Sequence, residues 1–69
     1  SEVYSANFKQ LKNGEFKTIA IFSKKARGMM TRFIIDNNIT DITDIKSFDY
    51  GGYMFHKELS TENELIFTR

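Results

Sequence analysis

Sixty-nine residues leave room for a single domain, and ten Lys and Arg against nine Asp and Glu give a net charge of +1, so the chain is no bulk polycation and any contact with nucleic acid must rest on local clustering. With no Cys and one histidine, His56, disulfides, thiolate metal centres and histidine-rich metal sites are excluded. No apolar run approaches the ~20 residues of a membrane span and no signal-peptide pattern opens the chain, so a cytoplasmic location is the expectation.

A domain this short is marginal alone, and it lacks the disulfide or metal staples that small scaffolds use. Ser1-Glu2-Val3-Tyr4 carries no initiator Met, and Leu65-Ile66-Phe67-Thr68-Arg69 stops inside a strand-like run. Residues 1–69 therefore read as one segment of a longer protein, without proline, repeat or linker.

In residues 3–11, Tyr4, Ala6 and Phe8 share one side of an expected strand. Asn13-Gly14 follows, a two-residue hairpin signal in which glycine takes a positive φ freely and asparagine tolerates it. Residues 16–22 read as the returning strand, apolar on both faces and so expected to be covered on both. Ser23 stands where a helix cap belongs. In residues 24–37, Ala26, Met29, Met30, Phe33 and Ile34 recur at helical spacing as an inward stripe, and Asn37-Asn38 is a plausible stop.

Thr40 is placed to cap a second, short helix over residues 41–48, with Ile42, Ile45 and Phe48 inward. Asp41 and Asp44 lie near its positive end and Lys46 near its negative end. Gly51-Gly52 breaks the pattern. Residues 53–59 alternate, with Tyr53, Phe55, Lys57 and Leu59 on one side. A turn at 60–63 leads to a last strand at 64–68. The order ββααββ predicts an α+β fold, a small antiparallel sheet with two helices on one face, as part of a larger α+β fold.

Around the first helix, Lys24, Lys25 and Arg32 fall opposite the apolar stripe within about a third of the circumference, with Arg27 on the flank. Gly28 lies in the middle of that arc. Glycine inside a helix costs about 1 kcal/mol relative to alanine; close approach of something bulky, such as a phosphate backbone, is a reason to tolerate it. The competing reading is a solvated basic face with no ligand, because such faces are common. Ile35 on the same side hints that part of the face packs against other protein. Lys9, Lys12 and Lys17 are positioned to extend the patch. Tyr4, Phe16 and Tyr53 offer rings for stacking on unpaired bases, although strand aromatics are more often core.

His56 and Glu58 alternate with the apolar set of their strand and read as an exposed polar pair rather than an acid and base. Asp36, Asp41, Asp44 and Asp49 lack calcium-loop spacing and read as caps and surface charge. No phosphate-cradling or nucleophile motif is present, so the segment offers no recognisable catalytic residue, metal ligand or cofactor site.

The strand F-K-T-I-A-I-F-S, the run K-K-A-R-G-M-M-T-R-F-I-I (Lys24 to Ile35), F-D-Y-G-G-Y-M-F (Phe48 to Phe55) and E-N-E-L-I-F-T-R (Glu62 to Arg69), in this order, together resemble the C-terminal part of the YaaA peroxide-stress protein family. That resemblance implies a parent several times longer: a cytosolic bacterial protein tied to hydrogen peroxide resistance, to limiting free intracellular iron, and to DNA binding through a positively charged cleft and a helix-hairpin-helix element. It places this segment at the C-terminal flank, with the K-K-A-R-G helix lining the cleft, so that Lys24, Lys25, Arg27 and Arg32 contact phosphates around Gly28. The tight h-x-G-h-G hairpin of a helix-hairpin-helix has no match here, and no enzymatic residue set carries over. The partners implied are DNA and the remainder of the parent chain. Two alternatives stay open: a structural segment whose basic helix pairs with carboxylates of the parent, and an enzyme whose site lies elsewhere, with Arg27 or Arg32 clamping an anionic substrate.

Overall fold

A computed structural model describes residues 4–69; Val3, the expected start of the first strand, lies outside them. Strand β1 (Ser5–Lys12) turns at Asn13-Gly14 into β2 (Glu15–Lys17), antiparallel, with Lys12 opposite Glu15 and Gln10 opposite Lys17. Asn13 has φ 53° and Gly14 φ 81°, the paired positive angles of a tight two-residue hairpin.

The returning strand is shorter than the sequence suggests. All three β2 residues are exposed, so it is an edge strand and not one covered on both faces. Helix α1 (Ala20–Asp36) then begins four residues before the expected start. Its first hydrogen bond runs from the Ser23 amide to the Ile19 carbonyl at 2.9 Å. Ser23 is accordingly buried within the helix rather than capping it, and Ile19 holds the cap position with no side-chain bond. Phe22 and Ala26, four residues apart, share one helix face; placing them on the inward side outweighs both the β-branched run and the cap signal. The inward stripe is Ala26, Met30 and Phe33 with Met29 beside it, while Ile34 stays 37% exposed. The helix stops as expected: Asn37 donates both its amide and its side-chain Nδ2 to the Phe33 carbonyl, and Asn38 turns left-handed at φ 52°.

The second helix is a 3₁₀ helix, Ile42–Ser47, not an α-helix, and Asp41 rather than Thr40 caps it. The Asp41 carboxylate accepts from the Thr43 amide at 3.0 Å and the Thr43 hydroxyl at 2.9 Å. Those two bonds, the amide first, hold the Asp41 carboxyl below its ordinary 3.8. Ile45 and Phe48 are buried, as the spacing requires. The expected strand at 53–59 shrinks to β3 (Met54–Phe55), followed by a 3₁₀ turn, Lys57–Leu59. Ser60 explains the interruption. Its hydroxyl donates to the His56 carbonyl and accepts from the Ile66 amide, both at 2.8 Å, so a side chain takes the place of a strand partner.

Strand β4 (Glu64–Thr68) forms where expected, but the sheet is mixed, not antiparallel. The order is β2-β1-β4-β3, with the central pair β1–β4 parallel and β3 antiparallel to β4. The chain is thus an α+β unit of order ββαββ with one α-helix. Even-numbered β1 residues and odd-numbered β4 residues face α1. Between them lies an aromatic cluster in which Phe8 meets Phe48 at 5.8 Å, Tyr53 at 5.4 Å and Phe67 at 5.5 Å. All four rings are fully buried, and each such contact adds about 0.5–1.5 kcal/mol beyond area burial.

Replacing the hub ring, Phe8→Ala, is expected to remove about 3–5 kcal/mol. That is comparable to the whole stability of a domain this size, at roughly 0.05–0.15 kcal/mol per residue. Chemical denaturation of the 69-residue chain should show the cooperative transition lost or shifted to very low denaturant.

Candidate functional site

Helix α1 turns one face to the aromatic core and the other outward. Lys24, Lys25, Arg27, Gly28 and Arg32 are all exposed. At 100° per residue they span an arc of about 160°. Among the described residues, no carboxylate lies within 4 Å of these four cations; the ion contacts found are Lys17–Glu15 at 3.8 Å and His56–Glu58 at 3.6 Å. The helix has no acidic residue in its first turn and no basic residue in its last. Its positive end is therefore uncompensated, and Lys24 and Lys25 in the second turn add to that positive field.

Two shallow recesses divide the expected site. One, of about 460 Å³, lies at the N-terminal end of α1 between Thr18, Ile21, Lys24 and Arg27. The other, of about 400 Å³, lies along its second half between Gly28, Thr31, Arg32, Ile35 and Tyr50. Lys24 and Arg27 are thus brought together, as are Gly28 and Arg32, whereas Lys25 stands clear of both. A Cβ built on Gly28 meets nothing within 4 Å, so the bare backbone relieves no clash within this chain. Each recess holds one exposed isoleucine: Ile21 is 62% and Ile35 68% exposed, and with Gly28 between them they repeat every seven residues on the outer face.

Other expected contributors stand elsewhere. Lys9 projects from the sheet face opposite α1, because successive β1 side chains alternate, and Lys17 is engaged with Glu15. Tyr53 is fully buried and Phe16 packs edge-on against His56 at 5.0 Å. The His56 Nδ1 accepts from the Leu59 amide at 3.3 Å, so His56 caps its own 3₁₀ turn and meets Glu58 locally rather than across strands. Among the carboxylates, Asp36 accepts from the Tyr50 hydroxyl at 2.9 Å, and this bond raises the Tyr50 phenol above its ordinary 10.0. A third recess, of about 590 Å³, lies away from α1 between Tyr4, Thr43, Lys46, Phe55 and Thr61. Its hydroxyls already serve the fold, Thr43 toward Asp41 and Thr61 toward the Glu64 amide.

One structural residue escaped the sequence reading. Arg69 donates through Nε to Gln10 at 2.7 Å and through Nη1 to the Gly51 carbonyl at 2.8 Å. Its guanidinium also stacks 4.4 Å from the Tyr53 ring and 5.5 Å from Phe22. It ties β1, β4, α1 and the Gly51 turn together. Glycine suits Gly51 because its φ of 67° is one that residues with a side chain rarely adopt. No local motif announces a clamp assembled from such distant partners.

Because Gly28 has open space around its α-carbon, Gly28→Ala is expected to stabilise the 69-residue chain by about 0.5–1 kcal/mol, read as a raised midpoint in denaturant. A lowered midpoint would mean that the helix backbone meets a constraint absent from this geometry.

Comparison with known proteins places the chain. The sequence model of the family described as peroxide stress protein YaaA matches residues 1–59. A UPF0246 protein of Francisella philomiragia is 56% identical over 63 residues, 91% of this chain and 25% of the relative. UPF0246 proteins of Maricaulis maris and Flavobacterium johnsoniae are 51% and 52% identical over 67 residues, 97% of this chain and 26% and 27% of those relatives. The chain spans about a quarter of the length of the curated relatives it matches. It belongs to the peroxide stress protein YaaA family.

Proposed function

From membership of the peroxide stress protein YaaA family, we propose that this segment serves hydrogen peroxide resistance as the C-terminal part of a longer cytoplasmic protein, holding DNA phosphates on the outward face of α1. The observation that carries the reading is the set of four exposed cations, Lys24, Lys25, Arg27 and Arg32, with no carboxylate partner among the described residues. Each cation that meets a phosphate releases condensed counterions, so affinity depends on salt. Four contacts of this kind position a duplex and read no sequence. Among the described residues no helix is long and apolar enough to cross a membrane.

A second reading has its own observation. The exposed Ile21 and Ile35, one in each recess, suit packing against another part of the parent, whose carboxylates would then pair with the neighbouring cations. In that case α1 closes the parent fold, and the ligand site lies elsewhere.

Charge reversal separates the two. In the family-length protein, Lys25→Glu with Arg32→Glu is expected to weaken duplex DNA binding at least about tenfold, to lower the slope of log K against log salt by about 2, and to leave the melting temperature within a few degrees. Unchanged affinity and slope with a markedly lower melting temperature would overturn DNA binding here and support the packing role.

A further inference from the structure

The sheet is finished on one face only. On the α1 side, Phe8, Phe48, Tyr53 and Phe67 are sealed. On the other side stand the odd-numbered β1 residues together with Phe16, Met54, His56, Ile66 and Thr68, which the registers place there: Leu11 opposite Phe16, Asn7 opposite Ile66, and Met54 opposite Thr68. Only Ile66 is buried on this side, at 2% exposure. On the same face Phe16 packs edge-on against His56, and the Ser60 hydroxyl ties the adjoining turn to the Ile66 amide. Around that spot Met54 is 68% exposed, Leu11 57% and Phe16 37%, and Leu59 in the adjoining turn is 40% exposed.

Scattered apolar side chains on a surface are ordinary. These are different because they surround the central parallel pair β1–β4, and parallel strands are regularly covered on both faces. The matched relatives supply candidate cover, since about three quarters of their length lies outside the stretch aligned with this chain.

We propose that the sheet face opposite α1, centred on Leu11, Phe16, Met54 and Leu59, packs against an apolar element from the remaining three quarters of the family-length protein. The occupant is intramolecular. It lies flat over β1, β4 and the Met54 edge, leaves the α1 cations untouched, and turns the four-stranded sheet into the middle layer of a larger α+β unit. Lys9 and Thr68 pair across β1 and β4 beside Met54, within this face, and Asn7 donates to Glu64 on it at 2.9 Å, so the covering element meets these polar groups as well as the four apolar side chains. This inference holds whether or not α1 binds DNA.

Methionine oxidation by hydrogen peroxide, followed by peptide mass spectrometry, reads the cover directly. Met54 is the probe, and the buried Met30 is an internal reference. In the family-length protein, Met54 is expected to oxidise at least about tenfold more slowly than free methionine, at a rate independent of protein concentration and close to that of Met30. Leu11→Glu in the same protein should lower its melting temperature by at least several degrees, whereas a surface position would change little. Oxidation of Met54 at the free methionine rate, with Leu11→Glu neutral, would overturn the proposal. Protection that appears only as concentration rises would also overturn it, by assigning the face to a second copy. Because neither readout involves DNA, the result does not depend on the reading of α1.

Discussion

The packing of Phe8 against Phe48, Tyr53 and Phe67 is the contact on which the other features rest. Phe8 comes from β1 and Phe67 from β4, and they pair directly across the parallel ladder at ring centroids 5.5 Å apart. Phe48 ends the 3₁₀ helix and Tyr53 precedes β3, so one buried cluster gathers segments from the whole chain. Met30 and Phe33 of α1 press on it from above. Arg69 then fastens its rim by stacking on Tyr53 while bonding Gln10 and Gly51. A unit of this size has little other means of staying folded, since it has no cysteine and the two ion pairs among the described residues both involve a largely exposed carboxylate.

That packing fixes the orientation of α1. With Ala26, Met30 and Phe33 held inward, Lys24, Lys25, Arg27, Gly28 and Arg32 have nowhere to point but out. The outward face is mixed: the cations stand beside two separate exposed isoleucines, Ile21 and Ile35, and the open backbone of Gly28 lies between them. A phosphate backbone and a packing element each suit part of that surface. The unpaired cations favour an anion, and the isoleucines favour protein. The other sheet face is mixed as well: Leu11 and Met54 are exposed there, beside Lys9 and the Asn7–Glu64 hydrogen bond.

Much of this was legible in the residues. Asn13-Gly14 gave the hairpin because two positive φ angles in succession exclude most other pairs. The Ala26, Met30, Phe33 spacing gave the inward stripe, and Asn37-Asn38 gave the helix end. The combination of K-K-A-R-G with the later G-Y-M-F gave the family. What escaped was set by contacts distant in sequence. The parallel pairing of β1 with β4 joins residues 59 positions apart, such as Ser5 and Glu64, and no local pattern distinguishes it from an antiparallel arrangement. The early start of α1 follows from the inward placement of Phe22 and Ala26, which overrode a good cap residue at Ser23. The loss of most of the strand after Tyr53 follows from one hydroxyl, that of Ser60, occupying the Ile66 amide. The helix wheel placed Lys24, Lys25, Gly28 and Arg32 outward, where the fold has them, but their division between two recesses depends on Tyr50 and Thr18, which no helix wheel includes.

The central claim is that the α1 cations are open in the working protein and close on DNA. Acetylation of lysines in the family-length protein, read by mass spectrometry with and without duplex DNA, tests it most directly. The account predicts that Lys24 and Lys25 react as fast as free lysine when DNA is absent, and that both slow severalfold when DNA is bound. Lysines 24 and 25 that resist acetylation before any DNA is added would contradict it, because other parts of the protein would already hold that face.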